Sequence, residues 1–325
     1  MIARLLGGVG LVLLTAGAVR AGPLAFITDQ GANALSIVDL AQGRTVQKVK
    51  VGQKPAGVAV APGAARVYVT NPEGRSVSVV ERESDGAYRM IANIPVGEGP
   101  LGVTLDRTGA RLFVADWYTN RVYAIDTKKL AVTGEIPVGK SPSGMAVSPD
   151  DRWLYVANRE SDTISVVDLA SLHAVAEIPV GKSPFGVTYD PNGPDGPRIL
   201  VANVKSFDVS VVDPKTRRET RRLKVRKYPY VAAVTRDGSR IFVTNQHDDS
   251  VSAFDGRTYA PLGVIDACGY PEGLLIAPDQ KSAAAVCWME DNITEIDVKT
   301  LKVTKKISVG SNPRGFGQFI APDAK

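Results

Sequence analysis

Apolar and polar positions alternate with a period of two along most of the chain, in short runs cut by turn residues. One set of runs reads RVYVTN (66–71), RLFVAD (111–116), WLYVAN (153–158), RILVAN (198–203), RIFVTN (240–245) and AAAVCW (283–288). A second set follows each: SVSVV (76–80), RVYAID (121–126), TISVVD (163–168), DVSVVD (208–213), SVSAFD (250–255) and NITEID (292–297). Alternation rich in β-branched residues and bounded by Asp, Asn, Gly and Pro predicts strands.

The runs recur with a leader, V-G-x-x-P-x-G. Its prolines are Pro55, Pro100, Pro142, Pro184, Pro229, Pro271 and Pro313, spaced by 45, 42, 42, 45, 42 and 42 residues. Each leader opens an apolar run, the two sets above follow, and a more variable fourth run leads to the next leader. Four strands in about 42 residues is the blade of a β-propeller. After Pro313 only a first strand remains (RGFGQFIAP), whereas the N-terminal part offers LAFITD (24–29), ALSIVDL (34–40) and RTVQKVKV (44–51). Joined, the two ends make a seventh blade and leave no unpaired edge. The predicted fold is all-β: a seven-bladed β-propeller of four antiparallel strands per blade over residues 22–325.

The phrases YVTN (68–71), FVTN (242–245) and YVAN (155–158), with their V-G-x-x-P-x-G-V leaders, resemble the YVTN-repeat β-propeller family, including bacterial periplasmic propellers of the YncE type. The resemblance implies a seven-bladed ring, often exported. It implies no reaction, because a fold does not carry a function.

Composition changes this picture little: 325 residues, 44% hydrophobic and 22% charged, are ordinary for a folded chain. The N-terminus matters more. Met1–Arg4 is a short basic region, Leu5–Ala18 an apolar stretch, and Val19-Arg20-Ala21 a small-residue cleavage pattern, so residues 1–21 read as a signal peptide. Its removal takes Arg4 and Arg20 and lowers the net charge from +5 to +3 (5 − 2). The expectation is a periplasmic or secreted protein without a membrane span after cleavage. Gly134–Ser141 (GEIPVGKS) matches a phosphate-binding loop literally, but Pro142 follows where a helix must begin. It reads instead as a fourth strand and the next leader.

Leaders and the loops after each YVTN-like run lie at one end of the ring, here the top. Between Pro and the second Gly the leaders hold Ala56, Leu101, Ser143, Phe185, Tyr230, Glu272 and Arg314. Such variation fits either a tolerant surface position or a recognition surface. The loops add Trp117, Tyr118, Arg159, Lys205, His247 and Trp288. Aromatic residues with arginine dominate binding hot spots, although Trp117 and Trp288 could equally pack against neighbouring loops. The leader RKYPYV departs from the repeat, with Val231 replacing its second Gly. The candidate top-face binding set is Phe185, Tyr230, Tyr270, Glu272, Arg314, Trp117, Trp288 and His247, with Lys54, Lys140, Lys182 and Arg226 supplying positive charge.

Cys268 takes the Gly position of one leader and Cys287 the final Asn position of YVTN in the same blade. In register they meet at the blade top, which in an exported protein reads as a disulfide; free thiols or a redox or metal pair are the alternatives. No catalytic residue, metal or cofactor is assigned. The two histidines, His173 in a fourth strand and His247 in a top loop, fall at separate places. The basic run at 215–227 reads as an edge strand blunted by charge rather than a nucleic-acid surface. The expected function is an exported, non-catalytic propeller binding a protein or small molecule on its top face. Two alternatives are a lactonase-like hydrolase using Glu272, Arg314 and His247, and a cofactor-free accessory protein of a periplasmic redox enzyme.

Overall fold

A computed structural model describes residues 22–321; the expected signal peptide lies outside them. Seven antiparallel sheets surround a central axis. Blade 1 combines Leu24–Asp29, Ala34–Asp39 and Arg44–Lys50 with Pro313–Arg314 as its innermost strand. Blades 2 to 7 begin at Gly57, Pro100, Pro142, Pro184, Pro229 and Pro271, and each runs outward through four strands in chain order. Among the described residues the only helical turns are the short 3-10 segments Pro62–Ala64 and Gln246–Asp248. Gly134–Ser141 is accordingly the end of the strand Ala131–Pro137 and a leader, followed by the strand Pro142–Val147. No phosphate-binding helix follows it.

The burial pattern explains the alternation. Blades stack face to face, so the middle strands are covered on both sides: Arg66–Asn71 is buried but for its first residue, and Ala34–Asp39 throughout. One face of the third strands carries small hydroxyls, and Ser36, Ser78, Ser165, Ser210 and Ser252 are all buried. Outermost strands such as Arg44–Lys50 keep a solvent face. The basic strand Arg218–Lys224 is one of these. There Arg222 pairs with Glu219, and Arg221 lies over the Tyr259 ring.

Arginines at the start of second strands tie neighbouring blades at the bottom. Arg66 Nη1 donates to the Thr127 carbonyl, Arg111 Nη1 to that of Leu169 and Arg198 Nη1 to that of Gly256. Each bond crosses to the next blade. At the top, four second strands end in Asn, whose amide donates to the third-strand Ser, for example Asn158 to Ser165 at 2.9 Å and Asn245 to Ser252 at 2.9 Å. The first Gly of the leader packs on Asn71, Asn158 and Asn203, whereas Arg226 takes that place opposite Asn245 and donates its backbone N–H to Asn245 Oδ1. A Cβ on Gly139 would lie 2.5 Å from Asn158 Cγ, so no side chain fits there with Asn158 as it is placed.

Ring closure differs in one respect from the expected continuous final strand. Only Pro313–Arg314 pairs with Leu24–Asp29. Phe316–Gln318 pairs in parallel with Gly57–Ala59 of blade 2, and Ile320 returns to bridge Ala25 of blade 1. The last segment therefore stitches blade 1 to blade 2 beside the axis.

Candidate functional site

The variable leader position acquires its meaning from a repeated bulge. In blade 4, Pro142 pairs with Asn158, yet the next paired residue is Met145, opposite Val156. The same slip separates Pro184 from Val187 and Pro229 from Ala232. A bulge re-aims the residue it leaves unpaired; here it turns the variable residue toward the mouth of the axis. These positions are not a tolerant surface: Ala56, Ser143, Phe185 and Glu272 are all buried.

Phe185 forms the floor of the top face. It is 3% exposed, with its ring 4.0 Å from Tyr230 and 4.7 Å from Phe316 between centroids. A lower cavity of about 400 Å³ follows the inner strands and reaches Phe316, whereas an upper pocket, also about 400 Å³, is floored by Phe185. The aromatic pair separates the two.

The upper pocket is walled by Trp117 and Tyr230 and carries three cations, Lys54, Arg159 and Arg314. The Arg159 guanidinium lies 5.7 Å from the Trp117 ring and 5.6 Å from the Phe185 ring, held by cation–π attraction to both. Behind Arg314 sits Glu272, 4% exposed, whose Oε2 is 3.3 Å from Arg314 Nε and whose Oε1 accepts from Gln246 Nε2 at 2.7 Å. Burial pushes the Glu272 carboxyl above its ordinary range, opposed by Arg314 and Gln246. Burial likewise raises the Tyr230 hydroxyl, and the Glu272 charge adds to it.

A separate feature runs along the rim of blades 5 to 7. Phe207, Tyr228, His247, Tyr270 and Trp288 follow one another with centroid spacings of 5.7, 4.1, 4.7 and 6.0 Å. Leaders and top loops contribute to it by turns. His247 is held between two tyrosines, with the Tyr270 hydroxyl 3.2 Å from its Nε2.

The sequence-derived residues thus fall into several places, Lys54 among those that line the axial pocket. Phe185, Tyr230, Arg314 and Trp117 meet at the axial pocket, with Glu272 beneath its rim. His247, Tyr270 and Trp288 belong to the rim ladder. Glu272 and Arg314 touch, but His247 stands with the tyrosines, so the three do not form one cluster. Lys140, Lys182 and Arg226 are exposed, and Lys182 pairs with Asp162 at 2.7 Å. Cys268 and Cys287 form a disulfide with Cα atoms 5.8 Å apart.

Gln246, Phe207 and Phe316 were not singled out by sequence. Phe316 left a signal: it follows the second Gly of its leader, where Val58, Val103, Met145, Val187 and Leu274 stand elsewhere.

Residues 105–195 match the family model described as YNCE-like beta-propeller. No curated protein matches the chain. Among solved structures, Kuenenia stuttgartiensis hydrazine synthase superposes with a TM-score of 0.72 at 21% identity, covering 89% of this chain and 99% of that one. A functionally unknown protein from Desulfotomaculum acetoxidans gives 0.78 at 14%, covering 92% and 99%. A putative 6-phosphogluconolactonase from Bacteroides uniformis gives 0.77 at 14%, covering 90% and 98%. At these identities the likeness is one of fold.

Proposed function

We propose that this chain, a YncE-like seven-bladed β-propeller, is an exported binding protein that holds its ligand or partner at the axial pocket of the top face without transforming it. The observation that carries the reading is the pocket itself: a closed aromatic floor beneath Trp117, Tyr230 and three cations. Concave sites with apolar walls and a few convergent polar groups are the usual form of a ligand site. Export is supported by the N-terminal pattern of residues 1–21 and by the disulfide, which persists in oxidising compartments.

The hydrolase alternative draws less support. A general acid or base must come within hydrogen-bonding reach of its substrate. Glu272 is buried, with its oxygens turned to Gln246 and Arg314, and so reads as the group that positions Arg314.

The test is a cross-linked capture from the native host's envelope fraction, using the chain beside its Trp117→Ala/Arg159→Gln variant. A partner retained by the first and lost by the second is the expected result. Equal capture by both would remove the axial pocket from the function.

A further inference from the structure

We infer that the axial pocket takes a small organic carboxylate with an aromatic body, a conclusion that rests on the top-face site proposed above. Two of its three cations, Lys54 and Arg159, are not committed to protein acceptors. Among the described residues, neither the Lys54 ammonium nor the Arg159 guanidinium donates a side-chain hydrogen bond. Arg314 Nε is buried close to Glu272 without an aligned hydrogen bond, and its terminal nitrogens have no acceptor among those residues. Of the other cations on this end of the ring, Lys182 pairs with Asp162 and Lys306 with Glu290, each at 2.7 Å, whereas Lys140, Lys205, Arg226 and Lys227 are exposed to solvent outside the pocket. Within the pocket, Lys54 and Arg159 carry charge without a counter-ion and share one confined space.

Like charges facing one confined space repel, and an anion among them relieves that repulsion. Glu272 neutralises only Arg314, and Glu73 is exposed at the mouth, which leaves an excess positive charge of one (3 − 2). Guanidinium forks match a carboxylate in plane, and Arg159 is already oriented by the two rings it rests on. Trp117, Phe185 and Tyr230 offer apolar surface to the rest of the molecule, and a volume of about 400 Å³ suits a body of one or two rings.

The experiment is calorimetric titration of the purified chain with naphthalene-2-carboxylate, its neutral carboxamide and inorganic phosphate. The carboxylate is expected to bind at least about tenfold more tightly than either control. Lys54→Gln and Arg159→Gln should each weaken it about tenfold, in line with loss of a charged hydrogen bond. Both replace side chains without protein acceptors, so the fold is retained; Arg314→Gln is paired with Glu272→Gln to avoid stranding a buried carboxylate.

Equal affinity for carboxylate and carboxamide, abolished by Trp117→Ala, would overturn the anion assignment and leave the top-face site standing. Phosphate binding as tightly as the carboxylate would overturn the aromatic body. Carboxylate binding unaltered in both single variants would place the ligand elsewhere and remove the pocket from both readings. Absence of carboxylate binding would overturn the inference alone, since the envelope capture judges the top-face reading independently.

Discussion

Cys268 and Cys287 occupy, in blade 7, the two positions that in five other blades pair a leader glycine with the last residue of a second strand. Gly139 packs on Asn158 and Gly181 on Asn203, so closely that a Cβ would collide with the side-chain amide. In blade 7 both partners have changed together. The contact has become a covalent bond across 5.8 Å between Cα atoms, closing a loop of sequence separation 19. It holds the start of the inner strand to the end of the second, directly below Tyr270 and Trp288.

Reduction of this bond should therefore cost about 3 kcal/mol, the chain-entropy value for a loop of this size. Denaturant unfolding with and without reductant measures it. The Cys268→Gly/Cys287→Asn variant should recover part of the loss by restoring the repeat's own contact. A midpoint indifferent to reductant would contradict the assigned role.

Arg198 and Asp190 are both almost fully buried, 2.7 Å apart, with Arg198 also donating to the Gly256 and Gly238 carbonyls of the next blade. Arg198→Met should destabilise by about 3–5 kcal/mol, because it strands a buried carboxylate. The double variant Arg198→Met/Asp190→Leu should be less damaged than the single one. A double-mutant cycle measures the coupling, and simple additivity would count against a staple between blades 5 and 6.

Burial raises the Glu272 carboxyl above its ordinary value, so the folded protein holds this proton more tightly than the unfolded chain. Its contribution is fully favourable below the ordinary Glu range and is lost as pH rises through the folded-state value. Glu272→Gln should remove that downward slope. Urea unfolding of both proteins from acid to neutral pH tests the sign: wild type should lose stability relative to the variant as pH increases. A difference that grew in the opposite direction would mean that Arg314 outweighs burial.

Phe207 departs from a clamp seen in five other blades. Asn33, Asn120, Asp162, Asp249 and Asp291 each accept the amide of the leader residue before proline, at 2.8–3.0 Å. All five acceptors share with Phe207 a left-handed backbone, which Asn tolerates better than Phe. Phe207→Asn should supply the missing acceptor for the Tyr228 amide and stabilise by about 0.5–1.5 kcal/mol. Thermal unfolding decides, and a lowered midpoint would show that the Phe207–Tyr228 contact is worth more than the clamp.

Much of this protein follows from local pattern. Alternation with period two, a leader every 42 to 45 residues and the composition of the two ends specify seven blades and their closure, because strand faces and turns depend on near neighbours. Register alone also brought Cys268 to Cys287. The candidate site was legible only in part. Residues such as Phe185 and Arg314 drew notice as unlike members of one repeat position, yet nothing local says which way that position points. In blades 3 to 7 its direction comes from a bulge in the inner strand, whereas Arg314 pairs in register with Thr28, and its neighbours come from ring closure, which sets side chains from different blades around one axis. Closure places Phe316 against Phe185 and Arg314 against Glu272, while His247 joins the tyrosines of the rim. Contacts between residues 42 or more positions apart, packed where seven strands converge, are decided by the tertiary structure and by no single repeat.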